Sequence, residues 1–453
     1  LPWMPVAVFG ATLFGLFSKE SALVCVPLVP FAALMTAQIT HPERPLRWAR
    51  CGAALLATAF AFVLYVEARR RLFPAPIQAE LAVAANVDKP TLARAYAAAL
   101  RWYAQPTLPR DPLNNPLIDA SGPYRIAAAL RVYVRGLWQI VFPWTLSGDY
   151  SSPQEPIPAR LVFPESVLGA LLGLGPILAS LVLGVIGWLR WTRQREERVR
   201  GGLLAEVDLR PIIGVALMWT VVSYFPVSNI PVLLPTVRAE RFWYFPAIGT
   251  SLLLGILFRA LFAWGRRAGA AGAAVGLVVV FFGIQCFGAR RHAMDYTDDL
   301  AFWDATRHAV PRSAKAHLNY SVMQGARGHL DIRLESNRVA LELAPKWPMA
   351  NVYLGDTLCR LHRTDEAWPY YASGFELAPN DVNLVALGVQ CLWDEKAIGE
   401  DSPMRAELVA LGEKHPGSWL EYIERDMVDN GEEHDGVDPK YRPRGYNQGP
   451  KGE

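Results

Sequence analysis

Ser166-Val-Leu-Gly-Ala-Leu-Leu-Gly-Leu-Gly-Pro-Ile-Leu-Ala-Ser-Leu-Val-Leu-Gly-Val-Ile-Gly-Trp-Leu189 carries no charge and is followed at once by Arg190, Arg193, Arg195, Arg198 and Arg200. As a helix rising about 1.5 Å per residue, such a run crosses a hydrocarbon layer of roughly 30 Å, and a basic cluster at its end marks the cytoplasmic side. Comparable apolar runs at 2–17, 21–38, 51–67, 210–227, 246–264 and 270–289 bring the candidate spans to seven. The composition agrees, with 453 residues that are 52% hydrophobic and only 19% charged, 15 Trp, and a mean hydropathy of +0.15. A wholly soluble enzyme, a disordered chain, a collagen-like chain and a small disulfide scaffold are excluded on those grounds. The net charge of +3 is too small to call for nucleic acid, so lipid is the expected partner.

An eighth apolar segment, 125–146, contains Arg125, Arg131 and Arg135. Charge in hydrocarbon is costly, so this segment reads as a helix lying in the interface. The arginines after Leu189, together with Arg266 and Arg267, set the inside, which places 145–165, 228–245 and everything beyond 290 outside. Arg44, Arg47 and Arg50 compete with Arg69, Arg70 and Arg71 for the inside label. A flat 125–146 makes 72–124 an external loop; a crossing one makes that loop cytoplasmic. The external assignment is the expectation. The chain opens on Leu1 within an apolar run and without a basic leader, which reads as an internal fragment or trimmed product rather than a signal peptide.

After residue 290 the sequence turns polar and aromatic. Pro311, Pro345 and Pro379 recur every 34 residues, the period of tetratricopeptide (TPR) helix pairs, and Leu341-Glu-Leu-Ala-Pro345 is echoed by Phe375-Glu-Leu-Ala-Pro379. Ala316 aligns with Ala350 and Ser321 with Gly355, small residues that let paired helices approach. A third unit stretched around 394–402 would run to Pro416, flanked by a helix at 297–309 and by 419–427 as caps, since one repeat cannot bury its own apolar face. The expected fold is therefore all-α: a polytopic membrane domain over 1–290, helical repeats over 291–429, and a polar, disordered tail over 430–453. Of the five Cys, Cys25, Cys51 and Cys286 sit in apolar runs as packing residues, while Cys359 and Cys391 are able to meet outside the membrane, although nothing in their spacing demands a bond.

No phosphate-binding glycine loop, zinc-protease helix, nucleophile elbow or dinucleotide turn is present. The polar groups of interest stand at span ends. Ser18, Lys19 and Glu20 interrupt two apolar runs, either as a hairpin turn with a snorkelling lysine or as a contact for a lipid-linked phosphate. Arg238, Glu240 and Arg241 precede Phe242-Trp-Tyr-Phe-Pro246, either an aromatic belt or a phosphate grip using arginine's planar fork. Asp111, Asn115, Asp149 and Tyr150 lie in the external loops, where turn chemistry explains most such residues and sugar or acceptor contact is the sharper alternative. No spacing singles out a general base, with Asp111, Asp119 and Asp149 weak candidates, and no ligand set compels a metal.

These motifs fall in a familiar order. Ser18-Lys19-Glu20, Asn115-Pro116, Trp138 to Pro143 leading to Leu146 and Asp149-Tyr150-Ser151, Pro226-Val-Ser-Asn229, and Ala239-Glu240-Arg241 with Tyr244-Phe-Pro246, followed by TPR units, resemble the transmembrane and tetratricopeptide repeat-containing O-mannosyltransferase family and its bacterial relatives. The resemblance runs from the first residues to about 380. It implies a GT-C glycosyltransferase of the inner membrane that moves a sugar from a polyprenyl-phosphate carrier to a protein hydroxyl outside the cytoplasm. It also implies Lys19 and Arg241 as phosphate ligands, an acceptor protein held by the TPR groove, and a divalent metal that the fold class admits. The family's catalytic acidic residue belongs to a first external loop expected upstream of Leu1, so no catalytic residue is assigned within 1–453 and this stretch alone is expected to be inactive. The rival class is a non-catalytic, membrane-anchored TPR scaffold; a transporter is disfavoured by the long loops and by the lack of repeated broken helices.

Overall fold

The computed structural model describes residues 3–40, 44–72, 95, 110–200 and 209–442. The side chains of the Arg190–Arg200 cluster, of Arg44 and Arg47, most of the 73–109 loop and the segment 443–453 lie outside the described residues. The described residues are all-helical, with no strand, and fall into two compact units.

Among the described residues, the first unit holds seven α-helices and most of an eighth. α1 (Met4–Ser18) ends at Lys19, whose extended backbone (φ −161°) breaks the helix before a 3-10 turn, Glu20–Val24, and α2 (Cys25–Thr40). α3 (Arg44–Leu72), α4 (Gly122–Val141), α5 (Pro164–Arg200), α6 (Arg210–Tyr224), α7 (Pro246–Arg267) and α8 (Ala271–Met294) follow. Among the described residues, five stretches are long and apolar enough to cross a membrane: Trp48–Leu72, Pro164–Leu189, Arg210–Val227, Pro246–Arg267 and Ala271–Met294. The other two of the seven expected spans are shorter. With 15 residues, α1 reaches only about 22 Å, because the polar Ser18–Glu20 break stops it.

α6 is the hub, packed on α2, α5 and α7, while α3 packs against α1 and α2. Without a hydrophobic drive between helices in lipid, such contacts depend on small residues and on hydroxyl bonds. Both are present. A Cβ on Gly249 of α7 would stand 2.6 Å from the Ala216 carbonyl oxygen of α6. Ser180 donates to the Gly214 carbonyl across α5 and α6 (2.7 Å), and Thr58 of α3 reaches the Val26 carbonyl of α2 (3.3 Å). The outer faces, including Leu171, Leu174, Leu178, Val279 and Val280, are exposed and apolar, as lipid-facing surfaces require.

The arginine-bearing segment 125–146 is not among the five. Its helix, α4, meets loops and helix starts at one end of the bundle. Arg125 donates to the Ile230 carbonyl, Ala128 and Val132 pack with Leu117 and Val237, and Arg135 pairs with Glu165 at 3.0 Å. At the end of α3, Arg71 and Arg70 pair with Glu67 at 2.7 and 3.6 Å.

The described residues of the second unit are 289–442 with two loop pieces from the first half of the chain, 112–116 and 145–156. After α9 (Asp299–Ala309) come α10 (Ala314–Gly325), α11 (Leu330–Leu343), α12 (Pro348–Arg360), α13 (Thr364–Leu377), α14 (Val382–Asp394), α15 (Pro403–Glu413) and α16 (Trp419–His434). α10, α12 and α14 start 34 residues apart, and the insertion after Asp394 delays α15. Ala316, Ala350 and Ser321 are fully buried, and a Cβ on Gly355 would lie 3.0 Å from the Tyr371 ring. Ser313 and Asp381 cap the starts of α10 and α14 by accepting from backbone N–H groups.

Polar ties run between the repeats. Asn337, fully buried on α11, bonds Ser321 of α10 and, through its amide, Thr357 Oγ1 (2.9 Å) and the Tyr353 carbonyl (3.0 Å) of α12. Asp356, almost wholly buried, accepts from Arg333 at 2.5 Å and Arg360 at 3.0 Å. Cys359 and Cys391 form a disulfide between α12 and α14, with Cα atoms 6.4 Å apart.

The tail expected to be disordered from 430 onward departs from that expectation as far as residue 442. α16 runs to His434, Asp435 adopts a left-handed conformation (φ 51°), and Val437 then packs into the core while its N–H donates to Gln390. A polar, glycine-containing stretch reads as disorder because its apolar footholds, Val437 and Tyr441, are too sparse to form a periodic pattern.

Candidate functional site

The end of the bundle where α1 stops gathers most of the span-end residues. The 3-10 turn Glu20–Val24 packs on α6 and on a second 3-10 turn, Phe225–Val227, that continues α6. Beyond it, Asn229 in a left-handed conformation (φ 63°) donates from its amide to the Val237 carbonyl (3.1 Å) and accepts from the Leu234 N–H (2.9 Å). That clasp folds the 230–238 loop back on itself and presents a third turn, Glu240–Trp243. Trp243 stacks on Tyr224, the last residue of α6 (centroids 4.4 Å), and on Tyr133 of α4 (5.5 Å). Gly136 makes room for it: a Cβ there would fall 2.0 Å from the indole. Lys19 and Arg241 thus belong to the same end of the same bundle.

Their side chains share one further property. Lys19 is exposed, with no side-chain partner among the described residues, and Arg241 is exposed with its guanidinium 5.3 Å from the Phe242 ring centre. Neither forms an ion pair among the described residues, so each cation is available to an anion from outside. Arg238 is buried and Glu240 half-buried, and both make polar interactions within the chain. The side chain of Glu20 lies outside the described residues.

The loop residues are used differently. Asp149 accepts from Lys315 Nζ of α10 at 2.9 Å and from the Ser151 N–H at 2.8 Å, and the same ammonium donates to Asn114 Oδ1 at 2.9 Å. Ser151 and Ser313 hydroxyls bond at 2.7 Å, the Ala314 N–H donates to the Ser152 carbonyl, and the Ser152 N–H donates to Leu113. Asn115 and Tyr150 are buried, each with interactions inside the chain. Asp111 is half-buried and lies outside this cluster, in the first unit. Asn114, Asp149 and Lys315 are therefore a pin that fastens two loops to the first repeat helix, and the carboxylate of Asp149 faces a lysine rather than a cleft.

Sequence reasoning singled out Asp149 but not Lys315, since a salt bridge between residues 166 apart leaves no local pattern. It also missed that Arg131 of α4 is buried; the only hint was its place on the helix face shared by Ala127, Ala128 and Val132. No family model, no curated protein and no solved structure matches the chain. Fold and site define the class by themselves: among the described residues, an all-helical protein with five helices long and apolar enough to cross a membrane and a unit of helical pairs on a 34-residue spacing.

Proposed function

We propose that the chain is the carrier-binding part of a membrane glycosyltransferase that takes a sugar from a polyprenyl-phosphate donor and passes it to a protein hydroxyl outside the cytoplasm. The observation that carries the reading is the placement of Lys19 and Arg241, two exposed cations without carboxylate partners among the described residues, at one end of an apolar bundle. A lipid-linked phosphate presents an anion at just such a boundary while its polyprenyl tail lies along apolar helices. Arginine offers it two parallel hydrogen bonds and lysine a mobile point charge. When the carrier phosphate leaves, the same cations stabilise its growing charge, as electrostatic catalysis requires. The repeats, by their spacing TPR-like, hold the acceptor protein. Their disulfide fits an oxidising compartment, which supports an extracytoplasmic location at the inner membrane.

The rival reading is a membrane-anchored scaffold of TPR-like repeats. It gains from Asp149, whose carboxylate is committed to Lys315 instead of standing open to a hydroxyl. A transfer assay on the full-length protein in membranes, with polyprenyl-phosphate-linked sugars, separates the two. Lys19→Ala and Arg241→Ala should each lower transfer about tenfold or more, the worth of one charge-assisted bond of roughly 1.5–3 kcal/mol. Wild-type turnover in both variants refutes the phosphate assignment, and absence of transfer to any acceptor favours the scaffold.

A further inference from the structure

The C-terminal cap of the repeat unit brings together three side chains that the functional reading leaves unused. Asp426 and His434 lie eight residues apart on α16, with Asn430 midway, a spacing of four that keeps all three along one side of the helix. The chain then reverses through Asp435 (φ 51°) and Gly436 (φ 104°) and returns Asp438 to that side. One ligand atom from each of Asp426, His434 and Asp438 lies within 4.8 Å of the others, and all three residues are half-buried.

The reversal is fixed from inside. Gln390, buried on α14, donates to the Asp435 carbonyl (3.0 Å) and accepts from the Val437 N–H (2.9 Å), while Arg442 donates to the carbonyls of His434 and Asp435. Asp438 is oriented by the Lys440 N–H on Oδ1 (2.9 Å), and Oδ2 already holds a cation, the Lys440 ammonium at 2.5 Å. Asn430 donates to Asp426 Oδ1 at 3.0 Å. Outer hydrogen bonds thus orient the two carboxylates, and the clamped backbone carries His434 beside them, the kind of supporting contact that orients metal ligands.

We propose that Asp426, His434 and Asp438 bind a divalent transition ion of the Zn2+ type, which displaces the Lys440 ammonium and fastens the 435–442 loop to α16. One imidazole nitrogen and two carboxylate oxygens suit Zn2+ with water in the fourth position, whereas Ca2+ asks for six to eight oxygens and Mg2+ for a largely hydrated octahedron. Bonds of about 2.0–2.2 Å in a tetrahedron require ligand atoms about 3.4 Å apart. Side-chain rotation at these half-buried positions closes the gap.

The test is titration of the full chain, purified without a histidine tag, with Zn2+ against a chromophoric chelator, Ca2+ and Mg2+ serving as controls. One Zn2+ per chain is expected, with binding weakened at least about tenfold in His434→Ala and Asp438→Asn. Lys440→Met should tighten binding severalfold by removing the competing ammonium, an effect that damage to the fold would not produce. Failure of wild type to bind Zn2+ overturns the proposal. So does unchanged binding in His434→Ala, or Ca2+ binding as tightly as Zn2+.

Discussion

Replacing Cys359 and Cys391 together by alanine tests the packing of the repeat unit and its compartment at once. The bond joins the first helices of successive repeats, and both sulfurs are buried in the main core with Leu358, Tyr371, Phe375 and Leu392. A cross-link across a sequence separation of 32 removes loop-closure entropy from the unfolded chain worth about 3.7 kcal/mol at room temperature. With a urea slope of about 2 kcal/mol/M, the unfolding midpoint of the repeat unit should fall by about 2 M. Two assays check it. Denaturing alkylation of the chain in its native membranes should modify three thiols, those of Cys25, Cys51 and Cys286, and should modify all five only after reduction. Urea unfolding of wild type and double variant, followed by tryptophan fluorescence, supplies the energy. Five reactive thiols without reductant refute both the bond and the oxidising location drawn from it. A midpoint shift near zero refutes the entropic reasoning.

Three further expectations concern the same unit. Asp356→Ala leaves Arg333 buried without its carboxylate and should cost about 3–5 kcal/mol in urea unfolding, so a loss under 1 kcal/mol counts against the interior charge network. Lys315→Met strips Asp149 of its cation and should cost about 1–2 kcal/mol, with faster proteolytic cutting in 145–156 as the direct readout; unchanged cutting removes the pin. Burial pushes the carboxyl of Glu424 above its ordinary value, with Arg425 opposing the shift and Glu413 and Glu421 adding to it. The unfolded chain therefore releases this proton first as pH rises, so the group's contribution is whole below the ordinary carboxylate range and is lost above it. Glu424→Gln should stabilise the unit at neutral pH and lose that advantage on acidification below about pH 4.5, and an equal effect at both pH values contradicts the assignment.

The parts of this molecule that were legible in its sequence are those with a period or a run. The apolar stretches located all five long helices because burial in lipid needs nothing but length and composition. The 34-residue recurrence located the helix pairs, since each repeat restates the same small-residue contacts at Ala316 and Ala350. What escaped depends on pairs remote in sequence. Nothing near Asp149 announces Lys315, and although Cys359 and Cys391 are the two cysteines outside the apolar runs, nothing in their spacing demands the bond they form. The shortness of α1 is half legible: Ser18-Lys19-Glu20 reads as an interruption, but an apolar run does not disclose where its helical hydrogen bonds stop. The segment to residue 442 escaped for another reason. Its order comes from Gln390, and a single buried amide on a distant helix has no local signature.

The central claim is that Lys19 and Arg241 hold a lipid-borne phosphate at one end of the bundle. It is tested most directly by native mass spectrometry of the full chain released from nanodiscs containing equal amounts of polyprenyl phosphate and the uncharged polyprenol. Wild type should retain the phosphate in preference to the alcohol, and Lys19→Ala/Arg241→Ala should retain the two alike. Equal retention by wild type, or a preference that survives in the double variant, contradicts the account.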